Sequence, residues 1–193
     1  ELLRFWIKNG FTPLHISPDR NPVSGEYTVL VLKPLSKNVE RLVLHAREEF
    51  KWKLVNSLPV NYREMEPEIA YLFLNSEPFY NIDLKTLFTP IQLDRLWTYC
   101  LGPMTFEAAA DLMFLLGRNH WFIPLEKRPK LNRLMELLLI VKTLQGASWD
   151  EASVLLKTSP KHLQKEAHEI ACIYFTYITN VRKEDYRPGV RID

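Results

Sequence analysis

Little in this sequence advertises a chemistry. Its six glycines stand apart, at 10, 25, 102, 117, 146 and 189, so no Gly-rich turn is available to cradle a phosphate on backbone N–H groups. Two cysteines and five histidines, the latter scattered at 15, 45, 120, 162 and 168, give no metal-ligand spacing. No Ser/His/Asp or Cys/His constellation, internal repeat or low-complexity tract occurs. No run of about 18 uninterrupted apolar residues is present, and no charged, apolar, small-residue leader opens the chain. A soluble, cytoplasmic protein with no membrane partner is therefore expected. The formal net charge of +2 speaks against a strongly basic nucleic-acid coat and leaves only local patches to consider. Cys100 and Cys172 sit in apolar helical stretches far apart in sequence, so two buried thiols in a reducing compartment are expected rather than a disulfide.

What is present is apolar residue, 47% of 193 positions, enough for one large or two small domains. The N-terminal 35 residues organise the rest. Leu2, Leu3, Phe5, Trp6 and Ile7 make a short apolar helix that Gly10 stops. Residues 11–17 read as a strand, 18–25 are crowded with turn formers, and 26–32 are rich in β-branched and aromatic residues. Helix, strand, loop and strand cannot stand alone, because an isolated hairpin is marginal in water. No later stretch reads as a further strand, so the missing sheet is expected before residue 1. The absence of an initial methionine fits an excised piece of a longer protein.

From Ser36 onward every periodic segment is helical. The first helix carries Val39, Leu42, Val43, Ala46, Phe50 and Leu54 at intervals of three and four. Lys37, Arg41, His45, Lys51 and Lys53 fall elsewhere on it, either as a solvated face or as contacts to an RNA backbone. Further helices are predicted over 67–75, from the Thr89–Pro90 cap to Gly102, from Phe106 to a stop at Gly117, and over 131–145. The last of these is apolar nearly all round and should be the central strut. Ser148–Glu151 is a capping box opening a short helix, and a long helix follows Ser159–Pro160 to about Asn180. Residues 181–193, with Arg182, Lys183, Arg187 and Arg191, are expected to be frayed or extended. The fold class is thus α+β, mostly α, divided into 1–35 and a helical tail over 36–193.

Two clusters on the tail have residue types suited to nucleic acid. Arg118, His120, Trp121, Lys127, Arg128, Lys130 and Arg133 mix cations with an aromatic ring, the combination that holds looped or single-stranded RNA. They could equally be core plus a charged loop. The pair of helices around 157–160 resembles a helix-turn-helix, with Lys157, Lys161, His162, Gln164, Lys165 and His168 as its exposed residues. Plain helix packing, with Glu166 and Glu169 repelling phosphate, is the rival explanation.

Leu2-Leu-Arg-Phe-Trp6, Gly10-Phe11 and Ser24-Gly-Glu-Tyr27 leading into an apolar strand resemble the end of the acetyltransferase domain of the RNA cytidine acetyltransferases, a GNAT fold. Thr86-Leu-Phe-Thr-Pro-Ile-Gln-Leu-Asp-Arg-Leu-Trp-Thr-Tyr99 resembles the helical tail that follows it in that family. The resemblance implies transfer of acetyl from acetyl-CoA to the exocyclic amine of cytidine in elongator methionine tRNA and, in some lineages, other RNA, giving N(4)-acetylcytidine. It implies that the pyrophosphate-binding turn, the strand that stabilises the thioester oxyanion and an ATP- and Mg-dependent helicase module all lie upstream, so that this segment alone is inactive. Glu1 and Lys8, two helical turns apart, match acetyl-CoA contacts in the family, with lysine where arginine is usual. No tyrosine lies on this helix to protonate the departing thiolate, which leaves Tyr27 and His15 as catalytic candidates. The remaining alternatives are a helix-turn-helix nucleic-acid module and an interaction scaffold without enzymatic activity.

Overall fold

A short apolar helix followed by glycine and a β-rich hairpin folds as its local chemistry directs. The computed structural model describes residues 2–80 and 82–189. Helix α1 (Leu2–Lys8) ends at Gly10, whose φ of +81° is the left-handed geometry glycine adopts without strain. Strands β1 (Thr12–Arg20) and β2 (Tyr27–Leu32) pair antiparallel, with Thr12 opposite Leu32 and Ile16 opposite Val29. The register shifts between Pro13 and His15, a bulge that leaves Ile16 fully buried and His15 in solvent. In the connecting loop the Asn21 side chain accepts from the N–H groups of Val23 and Ser24, an Asx turn. Among the described residues these two strands pair only with each other.

The hairpin leans on α2 (Lys37–Ser57), and Ile16 joins Phe50 and Leu54 in the core. The buried side of α2 is Val43, Arg47, Phe50, Lys51, Leu54 and Val55. That differs from the apolar stripe of the sequence at one end, because Leu42 is 67% exposed. It differs more in admitting two cations. Arg47 and Lys51 are drawn inside because β1, the end of α3 (Pro67–Leu74) and the loop after it offer them carbonyls. Arg47 donates to the Phe73, Glu77 and Pro13 oxygens and Lys51 to those of Ser76 and Pro78. A buried cation is tolerable only with such partners. Neither a solvated face nor an RNA contact is open to Lys51.

The remaining helices are α4 (Pro90–Leu101), α5 (Phe106–His120), α6 (Arg133–Leu138), α7 (Trp149–Leu156) and α8 (Pro160–Thr179), with a 3-10 turn at Leu84–Leu87. Thr89, Thr105, Asn132, Ser148 and Ser159 each cap a helix with a side-chain oxygen that accepts a backbone N–H. Helix α6 passes into a π-helical stretch, Leu139–Leu144, whose six residues are all buried, the expected central strut.

Gly117 does not stop α5. The helix runs on to His120, and Gly117 is instead where Thr143 packs against the backbone: a Cβ there would lie 1.9 Å from the Thr143 hydroxyl oxygen. Glycine is required here for close approach, not for a turn.

The core differs from expectation in two further ways. Cys100 on α4 and Cys172 on α8 form a disulfide, with their Cα atoms 4.8 Å apart. Residues 181–189 are docked rather than frayed: Tyr186 is buried against Phe175, its hydroxyl donates to Asp94 at 2.6 Å, and Trp97 Nε1 donates to the Lys183 carbonyl. Burial and the neighbouring Asp94 carboxylate push the Tyr186 phenol up to about 12.

Candidate nucleic-acid interface and cofactor wall

Seven of the predicted RNA contacts lie on the end of α5, the loop after it and the start of α6, where an apolar run meets a string of cations. The structure divides them. Trp121 and His120 are fully buried and Arg128 is 7% exposed, so these three leave the candidate interface. Their residue types suited RNA, but each has a stronger use inside. Arg128 donates to the Ile123 carbonyl and to Asn75 Oδ1, fixing the loop between α5 and α6 against the end of α3. Trp121 packs edge-on against Tyr71 and His120.

His120 sits in a buried polar chain. Its Nδ1 is hydrogen-bonded to the Tyr174 hydroxyl at 2.5 Å, while Nε2 lies 3.6 Å from Glu136. Glu136 in turn is 3.8 Å from Arg128. Burial pulls the His120 imidazole down to about 4, with the Arg128 cation adding to it and Glu136 opposing. Burial alone would raise the Glu136 carboxyl, yet His120, Tyr71 and Arg128 together hold it below the usual range. Lys51 is depressed to about 6 by burial and by the nearby Arg47 and Arg128, with Glu77 opposing. This polar network links α5, α6 and α8 and is buried except at Glu136, whose side chain is 15% exposed.

Arg118, Lys127, Lys130 and Arg133 are exposed. Arg118 donates to Asn56 on α2, and Arg133 pairs with Glu68 while lying over the Tyr71 ring. Across the molecule's α8 side, Lys161 and Lys165 stand one turn apart in solvent, beside Ser159 and His162. Asn132 reaches Glu166 on this helix, so the Lys130–Arg133 segment and the start of α8 share one end of the tail. His162 pairs with Glu166, and His168 is half-buried against Tyr99, its Nδ1 facing the Tyr99 carbonyl at 2.6 Å. A continuous basic reading face on α8 is thus interrupted.

One exposed aromatic was not singled out by its sequence position. Trp52 on α2 falls off the apolar stripe and between two lysines, and that misfit is the signal by which it is found. It is 45% exposed and stacked on the buried Phe122, with ring centroids 4.2 Å apart.

At the other end of the chain, α1, the hairpin and α3 enclose a groove of about 480 Å³. Leu3, Trp6, Val29, Val31, Ile69 and Leu72 give it an apolar floor, and Arg20, Glu66 and Tyr27 form part of its polar rim. Arg20 lies over the Tyr27 ring at 4.5 Å and pairs with Glu66 at 3.1 Å. Tyr27 therefore faces the groove, whereas His15 is exposed and does not line it. Lys8 is exposed on the last turn of α1, where a cation also complements the helix dipole. Glu1 lies outside the described residues. Lys33 stands close by, donating to the Asn9 carbonyl. Among the described residues no group of His, Cys, Asp and Glu could hold a metal ion, and no helix is long and apolar enough to cross a membrane.

No family model matches the chain. Known proteins do. It is 41% identical over 185 residues to the tRNA(Met) cytidine acetyltransferase TmcA of Thermofilum pendens, a match covering 96% of this chain and 23% of that protein. The chain matches one segment of the tRNA(Met) cytidine acetyltransferases along nearly its own whole length. The TmcA proteins of Methanopyrus kandleri and Pyrococcus furiosus are 39% and 34% identical to it over 192 and 185 residues. These matches cover 99% and 96% of the chain. The chain spans about 22% of the length of these family members. Both the hairpin and the helical tail fall inside the shared region, which a likeness confined to one of them would not produce.

Proposed function

We propose that this chain is the C-terminal part of an RNA cytidine acetyltransferase, in which residues 1–35 close a GNAT sheet and residues 36–193 grip RNA. One observation carries the proposal: a two-stranded sheet with an apolar groove beside it, in a chain that matches about a fifth of each tRNA(Met) cytidine acetyltransferase along nearly its own whole length. A hairpin of this size needs neighbours, and the upstream part of the same polypeptide would supply them. That part would carry the pyrophosphate turn for acetyl-CoA and the ATP- and Mg-dependent module.

The chemistry assigns work to this segment. Cytosine's exocyclic amine is conjugated with its ring and is a poor nucleophile, so much of the acceleration must come from holding it in line with the thioester. The base must leave its stack to reach that position. A tail that fixes the tRNA body by phosphate and shape contacts sets the register for this step. Lys8 would face acetyl-CoA, and Tyr27, on the groove, is better placed than His15 to meet a departing thiolate.

The test joins this segment to the acetyltransferase portion of a relative and follows labelled acetyl transfer from acetyl-CoA to elongator methionine tRNA. The joined protein is expected to acetylate and the isolated segment only to retain tRNA at low salt. Lys8→Ala should raise the KM for acetyl-CoA with kcat little changed. Full activity of the relative's portion without any tail, together with no tRNA retention by the segment at low salt, would refute the proposal.

A further inference from the structure

Stacking on a nucleobase needs a flat ring with one face open and the other braced, so that no rotamer freedom is lost on binding. Trp52 has the braced face, and as a residue it remains 45% exposed. Its indole lies against Phe122, 24° from parallel, and Phe122 is itself 1% exposed with the Lys51 ammonium 5.5 Å from its ring. Tyr80 flanks both rings, at 6.4 Å from Trp52 and 5.9 Å from Phe122, and its backbone N–H donates to the Phe122 carbonyl. The indole is therefore held in place by a core residue and still 45% exposed.

Its surroundings are graded in charge. One turn further along α2, the Asn56 side chain donates to the Trp52 carbonyl and accepts from Arg118, which places an exposed guanidinium on that side. Lys53 is the next residue and is exposed. On the opposite side, Glu48 stands beside Tyr80, and Glu49 is exposed one turn before Trp52. A negatively charged strand would be repelled from the Glu48 side and drawn toward Arg118, while a base, which carries no charge, could lie over the indole.

We propose that Trp52 is the stacking platform for one unpaired RNA base, with Arg118 and Lys53 receiving the adjoining phosphates. This rests on the RNA-gripping role proposed above and narrows it from the tail as a whole to one face of α2. The ligand is a single-stranded or looped segment; a regular duplex buries its bases and could not use the platform.

The experiment measures binding of a fluorescein-labelled single-stranded oligoribonucleotide, and of the duplex made from it, to the whole chain across a salt series. A stacked base contributes about 1–3 kcal/mol, so Trp52→Ala should weaken single-strand binding about 5- to 150-fold and leave duplex binding unchanged. Trp52→Phe keeps a ring over Phe122 and should retain most of the affinity. The unlabelled oligonucleotide should quench tryptophan emission in the parent and not in Trp52→Phe. Arg118→Gln should flatten the salt dependence by about 0.7, the loss of one phosphate contact on a single strand. Thermal melts of each variant separate misfolding from lost contacts, and if Trp52→Ala unfolds, the quenching by Trp52→Phe decides. Unchanged affinity in a folded Trp52→Ala, equal loss on single strand and duplex, or quenching that survives in Trp52→Phe overturns the platform while leaving the RNA-gripping role standing. A parent chain that binds neither RNA overturns both.

Discussion

Reducing the Cys100–Cys172 bridge should cost this fold about 4 kcal/mol. The bond closes a loop of 72 residues between α4 and α8, and the chain-entropy relation gives roughly 15 cal/mol/K for a loop of that length, or about 4 kcal/mol at room temperature. Both sulfur-bearing residues are less than a tenth exposed, so the bridge sits in a packed seam whose geometry the helices already hold, and the effect falls mainly on the unfolded chain. In a domain of this size 1 kcal/mol corresponds to about 2–4 °C, which puts the expected fall in Tm near 10 °C. Calorimetric melts of the oxidised protein, the protein reduced in denaturant and refolded with reductant, and Cys100→Ala/Cys172→Ala would measure it. The reduced protein and the double variant should melt close together and well below the oxidised form. Equal Tm values for all three, or two thiols that react with iodoacetamide in the unreduced, denatured protein, would refute the reasoning.

Three further outcomes are expected. His120 is held near 4 in the fold against an ordinary value of 6.5, so the unfolded chain binds the proton first, and stability falls as pH drops from about 6.5 to 4. Between pH 7 and 5 that is about 2 kcal/mol, visible as a lower urea midpoint, and His120→Asn should remove most of that difference. Gly117→Ala should destabilise by roughly 1–3 kcal/mol through overpacking on Thr143, and Thr143→Ala should recover part of the loss; strictly additive effects would contradict a contact between them. Tyr186→Ala should free residues 181–189 from Asp94 and Trp97, so that trypsin cuts at Arg182 and Lys183 in the variant well before it cuts the parent.

The helices were legible because their signals are local. Thr89–Pro90, the Ser148–Glu151 capping box and Ser159–Pro160 each satisfy backbone donors within one turn, and the structure places helix starts where they stand. Gly10 marks a helix end for the same reason. Gly117 looks identical in sequence, yet it is helical, since its purpose is an approach by Thr143 from 26 residues away in the chain. The candidate interface was legible only as residue types. Trp121 and Arg128 are as suited to RNA as Trp52 and Arg118, and nothing nearby in the sequence tells which pair is buried. That depends on carbonyls offered by Ile123 and on Asn75, and on the ring of Phe122 turning toward α2.

By itself, then, the sequence determined the helical tail, the hairpin and the likeness to a family, because turn chemistry, periodicity and short motifs act over a few residues. Only the tertiary structure decided that the two cysteines meet across α4 and α8, that Arg47, Lys51, His120 and Arg128 turn inward, and that Trp52 stays out. Those outcomes follow from which distant groups arrive to accept a hydrogen bond or cover a ring, and burial of a charge is settled by such partners, not by the residue's own preference.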